Sequence, residues 1–235
     1  MKKILLTLML FASISQAQNV YATFNVIAAK NAKLAFVAGG IVKYVHADID
    51  SVVKKGAILA SLNNDDIKAM LASAKTNLKF AKRSLKRQKK IKKLIDEGKF
   101  DRVLSSYEKA RNALAYQQAL YNKTYLKAPF DGIIYAKDIE VGDAVSGMML
   151  KTVFKIQSQH ARKLILEFDQ KYNKVVKAGD TFEYKLDGDT TLHKGIITKV
   201  YPYADFNNRK MRAEVKAKDI IVGLFGDGTI ITDKE

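Results

Sequence analysis

The stretch GGIVKYVHADIDSVVKKGAIL (Gly39–Leu59) returns 92 positions later as DGIIYAKDIEVGDAVSGMML (Asp131–Leu150). In both copies, valine and isoleucine alternate with other residues between Gly and Asp, a pattern typical of a strand, a turn and a second strand. The matched positions are Gly40 with Gly132, Val42 with Ile134, Asp50-Ser51 with Gly142-Asp143, and Val53 with Val145. Each copy is therefore predicted to form half of one small β-module.

A helical insertion separates the two copies. From Asp65 onward, about thirty residues contain neither Gly nor Pro and consist largely of good helix formers. They predict a first helix over Asp65–Glu97, capped by the polar cluster Asn63–Asp66. The apolar seam of this helix is Leu71, Ala74, Leu78, Ala81 and Leu85. The seam fails at Gln88, which predicts a stutter or a local break there.

A second, shorter helix follows. Gly98 can take the left-handed conformation that ends a helix, and Asp101 can cap a new helix over Asp101–Leu120. Its seam is Val103, Tyr107, Ala110, Leu114, Gln117 and Tyr121. Two helices joined by so short a turn are antiparallel neighbours. Because their predicted lengths differ, either the first helix breaks near Gln88 or part of it pairs with another protomer.

The N-terminus has the pattern of an export signal. Two lysines precede the apolar run Ile4–Ile14, and small residues at Ser15 and Ala17 suit cleavage before Gln18. The run is shorter than the roughly 20 residues of a spanning helix, so an uncleaved interfacial anchor is the alternative. The absence of cysteine excludes disulfides, thiolate metal sites and thiol catalysis. We expect an exported protein of a bacterial periplasm or cell surface.

Short strands dominate the rest of the chain. Asn19–Ile27 and Lys33–Val37 precede the first copy of the repeat. The later predicted strands are Lys163–Phe168, Thr181–Leu186, His193–Tyr201, Arg209–Lys216 and Thr229–Thr232, with turns at Gly179-Asp180, Asp187–Asp189 and Gly226–Gly228. Strands this frequent, without helices between them, predict a small barrel or sandwich.

Patterns typical of enzymes are missing from the sequence. The three histidines, His46, His160 and His193, fall in different predicted segments and are interpreted as ordinary surface or strand residues. The sequence contains no phosphate-binding glycine loop, no nucleophile elbow and no zinc-protease motif. We expect a protein that is not an enzyme and has no catalytic residue, metal site or cofactor.

The chain is strongly basic, with 41 Lys and Arg against 24 Asp and Glu, a formal net charge of +17. An exported protein seldom meets nucleic acid, so anionic lipid headgroups or an acidic partner protein are the expected contacts. Ten basic residues and no acidic one lie between Lys75 and Lys93. The lysines at 75, 79, 82, 86, 89 and 93 follow one side of the first helix, either as a solvated face or as a docking surface for an acidic partner.

The repeat, the basic hairpin and the following A-P-F-D-G segment together resemble the periplasmic adaptor proteins. These are also called membrane fusion proteins, and they serve tripartite efflux pumps and type I secretion. The resemblance runs from about Lys33 to Gly228. It is carried by Gly40, Val42, Val45, Val53, Gly56, Leu59, Thr124, Leu126, Ala128, Pro129, Phe130, Asp131, Gly132, Gly142, Asp143 and Val145.

The resemblance implies a mainly β protein with an α-helical coiled-coil hairpin. A split lipoyl-like module, the barrel-sandwich hybrid, would hold the hairpin and would be accompanied by a small β-barrel. The expected boundaries are a signal peptide at 1–17, the barrel at 18–32 and 158–235, the lipoyl-like module at 33–62 and 125–157, and the hairpin at 63–124.

The resemblance also implies partners. Protomers would form a homo-oligomeric ring that links an inner-membrane transporter, of the RND or ABC type, to an outer-membrane channel protein. The hairpin tip would engage the channel through Lys90, Leu94 and Asp101, where the family has Arg, Leu and Ser. Lys90 keeps the charge but loses the planar fork of arginine, and Asp101 keeps a capping side chain but adds a charge.

Two other functions are compatible with parts of the sequence. Lipoyl-like halves also occur in swinging-arm carrier domains, but the hairpin that carries their modifiable lysine is here replaced by about sixty residues of helix. The remaining alternative is a free-standing basic periplasmic protein that binds anionic lipid or polymer through the hairpin.

Overall fold

The structure is a computed structural model that describes residues 18–91 and 96–232. The predicted signal peptide therefore lies outside the described residues. In chain order the elements are β1 (Gln18–Ala28), β2 (Asn31–Leu34), β3 (Gly40–Val45), β4 (Val52–Val53), β5 (Ile58–Leu62), α1 (Asp65–Lys90), α2 (Glu97–Lys123), β6 (Tyr125–Lys127), β7 (Gly132–Lys137), β8 (Ala144–Val145), β9 (Phe154–Gln157), β10 (Ala161–Asp169), β11 (Thr181–Leu186), β12 (His193–Ala204), β13 (Lys210–Lys218) and β14 (Phe225–Thr232). A short 3-10 helix, Gln170–Tyr172, follows β10.

The described chain divides into two compact units, residues 31–159 and residues 18–30 with 160–232. The first unit contains two four-stranded sheets, in the orders β2-β9-β7-β4 and β6-β5-β3-β8. The core between them consists of buried residues such as Leu59, Phe154 and Ile156. Among the described residues of the hairpin, none belongs to this core. The core of the lipoyl-like module thus comes from its strands and loops, and the helices extend from the module.

The two copies of the repeat exchange strands with each other. β3 of the first copy pairs with β8 of the second, with Gly40 opposite Val145. β7 of the second copy pairs in the same way with β4 of the first, with Gly132 opposite Val53. In both pairs, the glycine that begins one copy lies opposite the valine thirteen residues after the equivalent glycine of the other copy. This pairing confirms that the repeat forms two halves of one module.

The turns of the two copies are also equivalent. The Asp50 N–H donates to the Ile134 carbonyl at 2.8 Å, and the Gly142 N–H donates to the Val42 carbonyl at 2.9 Å. Both turn residues have positive φ, 70° at Asp50 and 95° at Gly142. Glycine adopts this conformation at little cost, whereas aspartate is one of the few other residues that tolerate it.

The A-P-F-D-G segment joins the second copy to the first. The Ala128 carbonyl accepts from the Gly56 N–H at 2.8 Å, and the Asp131 carboxylate accepts from the Lys55 N–H at 2.7 Å. A side chain at Gly132 would collide with the carbonyl oxygen of residue 157. The other motif residues are Pro129, which is exposed, Phe130, which packs against the core, and Asp143, whose carboxylate accepts from the Glu140 N–H at 2.8 Å.

The second unit is a closed barrel of six strands, in the order β1-β10-β13-β12-β11-β14. Inward side chains fill it, with Phe24 edge-on against Phe182 and Tyr184. The predicted turn at Gly226–Gly228 is wrong, because these residues lie inside β14. Any side chain at Gly226 would collide with Phe24, and one at Gly228 would collide with Tyr184. Because these two glycines have no side chain, the rings of Phe24 and Tyr184 can pack closely against the backbone of β14.

Candidate partner-binding site on the helical hairpin

The two helices of the hairpin are nearly equal in length, 26 residues in α1 and 27 in α2. The prediction of unequal helices is therefore wrong. α1 ends at Lys90, close to the point where the seam fails, and the Ile91 N–H donates to the Gln88 carbonyl at 3.1 Å. The predicted break at Gln88 corresponds to the end of the helix, so the helices can pair along their lengths within one chain.

The start of α2 explains the error. The Asp96 side chain accepts from the Lys99 N–H at 3.0 Å and caps the helix well before Asp101. Gly98 lies in the first turn of α2 and does not end α1. Both Asp96 and Asp101 precede helix-forming residues, and the sequence alone favours the later one. The capping role predicted for Asp101 is wrong.

The predicted seams lie between the helices. Leu71, Ala74 and Leu85 of α1 are buried, as is Phe100 of α2. The predicted seam residues of α2, from Val103 to Tyr121, are all partly buried, while most of their neighbours are exposed. Apart from Gln117, the seam is mainly apolar, and it is narrow, as in a coiled coil.

The predicted contact residues occupy different positions around the tip. Lys90 is exposed at the last position of α1, and Asp101 is exposed within α2, one turn beyond its start. Leu94 lies outside the described residues. Lys90 therefore lies directly before the connection between the helices, and Asp101 lies one turn after it. Both side chains are accessible to a partner.

One face of α1 is basic over most of its length. Lys75, Lys79, Lys82, Lys86 and Lys89 are all exposed, and at about 100° per residue they follow one side of the helix. Among the described residues, none of these five lysines makes an ion pair. Lys93 lies outside the described residues. Since unpaired like charges repel, this face is suited to an acidic partner.

The opposite face of the hairpin carries less charge. A groove of about 500 Å³ runs between the helices there. Its lining includes Met70, Ser73 and Asn77 from α1 and Lys109, Ala113 and Gln117 from α2. The Gln117 Oε1 atom is buried without a hydrogen-bond partner among the described residues. The hairpin thus has one basic face and one mostly uncharged face.

The base of the hairpin is fixed by side-chain hydrogen bonds. The Asn64 amide donates to the Thr124 hydroxyl at 2.8 Å, and the Tyr121 and Tyr125 hydroxyls lie 2.6 Å apart. Asn64 occupies the N-cap position of α1, but its side chain makes no capping bond and donates instead to Thr124. No local sequence pattern indicates this pairing, since the partners lie 60 residues apart.

An ion pair adds to the base. The Lys43 ammonium lies 3.0 Å from the Asp65 carboxylate, and this hydrogen bond raises the pKa of Lys43. The pair is exposed, so its contribution to stability is small. It nevertheless connects β3 to the first turn of α1 and adds to the orientation of the hairpin on the module.

The described residues offer neither a metal site nor a membrane-spanning helix. No group of three or more metal-binding side chains occurs among residues 18–91 and 96–232. Within the same ranges, neither helix is both long and apolar enough to cross a membrane.

Comparisons with known proteins place the chain in a family. Residues 30–157 match the model of the CzcB-like, barrel-sandwich hybrid domain. The cobalt-zinc-cadmium resistance protein CzcB of Cupriavidus metallidurans is 32% identical over 131 residues, which cover 46% of this chain and 24% of that protein. The chain thus aligns with only about a quarter of this curated relative.

Solved structures share the fold. A MacA–MexA chimera that contains the Pseudomonas aeruginosa MexA α-hairpin matches with a TM-score of 0.83 at 18% identity, over 92% of this chain and 82% of that one. The membrane fusion protein Spr0693 of Streptococcus pneumoniae matches with a TM-score of 0.72 at 12% identity, over 92% of this chain and all of that one. At these identities the matches establish the architecture, a barrel-sandwich hybrid with a hairpin and a small barrel. The family match over residues 30–157, more than half of the chain, shows that it belongs to the CzcB-like family of membrane fusion proteins.

Proposed function

We propose that this protein is the adaptor subunit of a tripartite efflux system and couples an inner-membrane transporter to an outer-membrane channel. The observation that carries the proposal is the hairpin, which extends from the lipoyl-like module and whose described residues contribute nothing to its core. Each helix spans about 40 Å at 1.5 Å per residue. An element of this length that does not stabilise its own module is available to a partner.

The coupling would be mechanical. Several copies would form a ring through their lipoyl-like and barrel units, and the hairpins would project from the ring as a tube. The less charged groove face suits contact between neighbouring hairpins, because it buries little charge. The tip, with Lys90, Leu94 and Asp101, would then contact the channel.

Photo-crosslinking at the tip in intact cells tests this proposal. With a photoreactive residue at position 94, we expect capture of an outer-membrane channel protein, identified by mass spectrometry. The variant L94D should reduce co-purification of that protein by at least about tenfold, or 1.4 kcal/mol, because a carboxylate would replace an apolar contact.

The matched control is Y116D, which places the same charge on an exposed aromatic residue of α2 near the base of the hairpin, outside the groove lining. We expect this variant to retain the channel protein. If L94D and Y116D reduce capture equally, or if position 94 captures no channel protein, the tip is not the docking site.

The basic face of α1 supports a second candidate, a free-standing protein that binds anionic lipid or polymer. Neutralising Lys82, Lys86 and Lys89 to glutamine separates the two functions. An anionic binder would lose its ligand in this variant and keep it in L94D. For the adaptor, we expect the reverse order of effects on co-purification.

A further inference from the structure

Several exposed aromatic and basic residues lie at one end of the barrel, in a different unit from the hairpin tip that is proposed to bind the channel. β1 begins there at Gln18, which lies opposite Thr232 at the end of β14. Asp169, at the end of β10, lies opposite Lys210, at the start of β13. The loop between β12 and β13, residues 205–209, is therefore at this same end, which we call the Phe206 end.

Phe206 is 95% exposed at the tip of that loop. The loop is not loosely held. The Asp205 N–H donates to the Lys210 carbonyl at 2.8 Å, the Arg209 N–H donates to the Asp205 carbonyl at 2.8 Å, and the Asp205 carboxylate accepts from the Asn207 N–H at 2.9 Å. An ordered turn thus holds a phenylalanine ring in solvent, where its apolar surface gains nothing from burial.

Two other exposed aromatic residues lie at this end of the barrel. Tyr21 of β1 and Tyr203 of β12 are 63% and 50% exposed. Tyr21 lines a cleft together with Lys171 and Arg209, and Tyr203 lines a second cleft that also includes Lys171. Aromatic rings with a polar atom are enriched where a protein meets the headgroup region of a membrane.

The charges at this end favour an anionic surface. Residues 169–180 and 202–210 carry five basic and three acidic side chains. Each of the three carboxylates accepts a backbone N–H of its own loop: Asp169 from Lys171, Asp180 from Lys177, and Asp205 from Asn207. Lys174 and Arg209 are exposed and make no ion pair with a carboxylate among the described residues.

The covalent chain leads to the same end. The apolar run Ile4–Ile14 finishes shortly before Gln18. The three residues between Ile14 and Gln18 span at most roughly 14 Å. If that run stays attached and lies in a bilayer, so short a connection would keep Gln18, and with it the Phe206 end, close to the membrane surface.

We propose that the Phe206 end of the barrel binds the surface of an anionic lipid bilayer, with the Phe206 ring inserted among the headgroups and Lys174 and Arg209 facing the phosphates. Apolar contact and electrostatic attraction add in such interfacial binding. The site goes beyond the adaptor function, because it lies on the barrel and makes no use of the hairpin.

The absence of tryptophan from the chain allows a direct test. In F206W the single tryptophan reports its own surroundings. With vesicles of phosphatidylglycerol and phosphatidylethanolamine, we expect its emission to shift to the blue and to be quenched by lipids brominated near the headgroups. Vesicles of phosphatidylcholine should give a smaller shift.

Two single-tryptophan controls locate the contact. Ile221 is 72% exposed in the loop at the opposite end of the barrel, and Phe80 is exposed on the hairpin. We expect I221W and F80W to show neither shift nor quenching. The full chain is used in all cases, so that any attachment through its N-terminus is common to the three variants.

A charge-matched pair tests the electrostatic part. The double variant K174Q/R209Q should weaken binding to anionic vesicles by about fivefold for each charge removed. The double variant K216Q/K218Q removes the same charge from the other end of β13 and should have a smaller effect.

Three results would overturn the proposal. The first is a tryptophan in F206W that stays in water when vesicles are added, and the second is equal quenching of the tryptophan in I221W. The third is an equal loss of binding in the two double variants. None of these outcomes alters the capture expected at position 94, so the proposal can fail while the adaptor function stands.

Discussion

At the level of single residues, the two halves of the lipoyl-like module form the same turn with different amino acids. Asp50 and Gly142 are equivalent, and both have positive φ. The sequence shows the Gly-Asp turn only in the second copy, yet the backbone hydrogen bonds are the same in both. Aspartate tolerates the left-handed region better than most residues, so the pairing pattern, and not the glycine, defines the turn.

Two glycines of the second copy should differ in their tolerance of alanine. At Gly142, a Cβ would meet nothing within 4 Å, so G142A suffers only the strain of positive φ, about 1 to 2 kcal/mol of unfolding free energy. At Gly132 the Cβ would collide with a backbone carbonyl, which cannot rotate away. We expect G132A to lose more than G142A, about 3 kcal/mol, in denaturant unfolding.

The reciprocal variant D50G serves as the control. It relieves strain in the folded chain but increases the entropy of the unfolded chain, so its unfolding free energy should change by no more than about 1 kcal/mol. A cost for G142A as large as that for G132A would show that position 142 is restricted by packing and not by φ.

At the level of elements, the hairpin depends on where α2 begins. Asp96 caps the helix, and Glu97 in the first turn has a favourable interaction with its dipole. This start places the helices in register from the base, where Asn64 bonds Thr124, to the tip, where α1 ends at Lys90. The basic face of α1 continues up to the tip, because Lys86 and Lys89 lie in the last two turns of the helix.

The variant D96A should destabilise the start of α2 by about 1 kcal/mol, because the cap accepts the Lys99 N–H. Hydrogen exchange of the amides around residues 97–100 would measure the effect as faster local opening. D101A is the matched control, since Asp101 lies within the helix. It should change the free energy of local opening by less than about 0.5 kcal/mol. Equal effects in both variants would contradict the assigned start of the helix.

Periodicity predicted most of the elements, whereas their ends required tertiary information. The strand Thr181–Leu186 has the predicted bounds, and both apolar seams lie between the helices. Asp96 and Asp101 are both plausible caps by residue type, and Gly98, which can end a helix, wrongly favours the later one. The Asn64–Thr124 bond and the clustering at the Phe206 end depend on residues far apart in the chain, which no local pattern reveals.

At the level of the whole molecule, the hairpin is an insertion into a β-hairpin that is already closed. Ser61 of β5 lies opposite Tyr125 of β6, and the Leu62 N–H donates to the Thr124 carbonyl at 2.9 Å. The core of the module includes residues from both flanking strands, Leu62 and Leu126, but none from the described residues of α1 or α2. The module should therefore fold without the insertion.

Replacing residues 65–123 with a short Gly-Ser turn tests this independence. Two-residue and slightly longer turns close antiparallel strands that are already adjacent. We expect a monodisperse protein that loses most of its helical circular dichroism and keeps a cooperative thermal transition. The hydrogen bonds lost at the base contribute about 1 kcal/mol each, so the midpoint should fall by less than about 8 °C.

A second variant, with residues 72–116 replaced by the same turn, keeps the base contacts and should be closer to the intact chain. If the shorter excision folds and the longer one does not, the first layer of the hairpin is part of the folding unit. If neither variant folds, the module requires the whole hairpin, and the description of the helices as an insertion available to a partner is wrong.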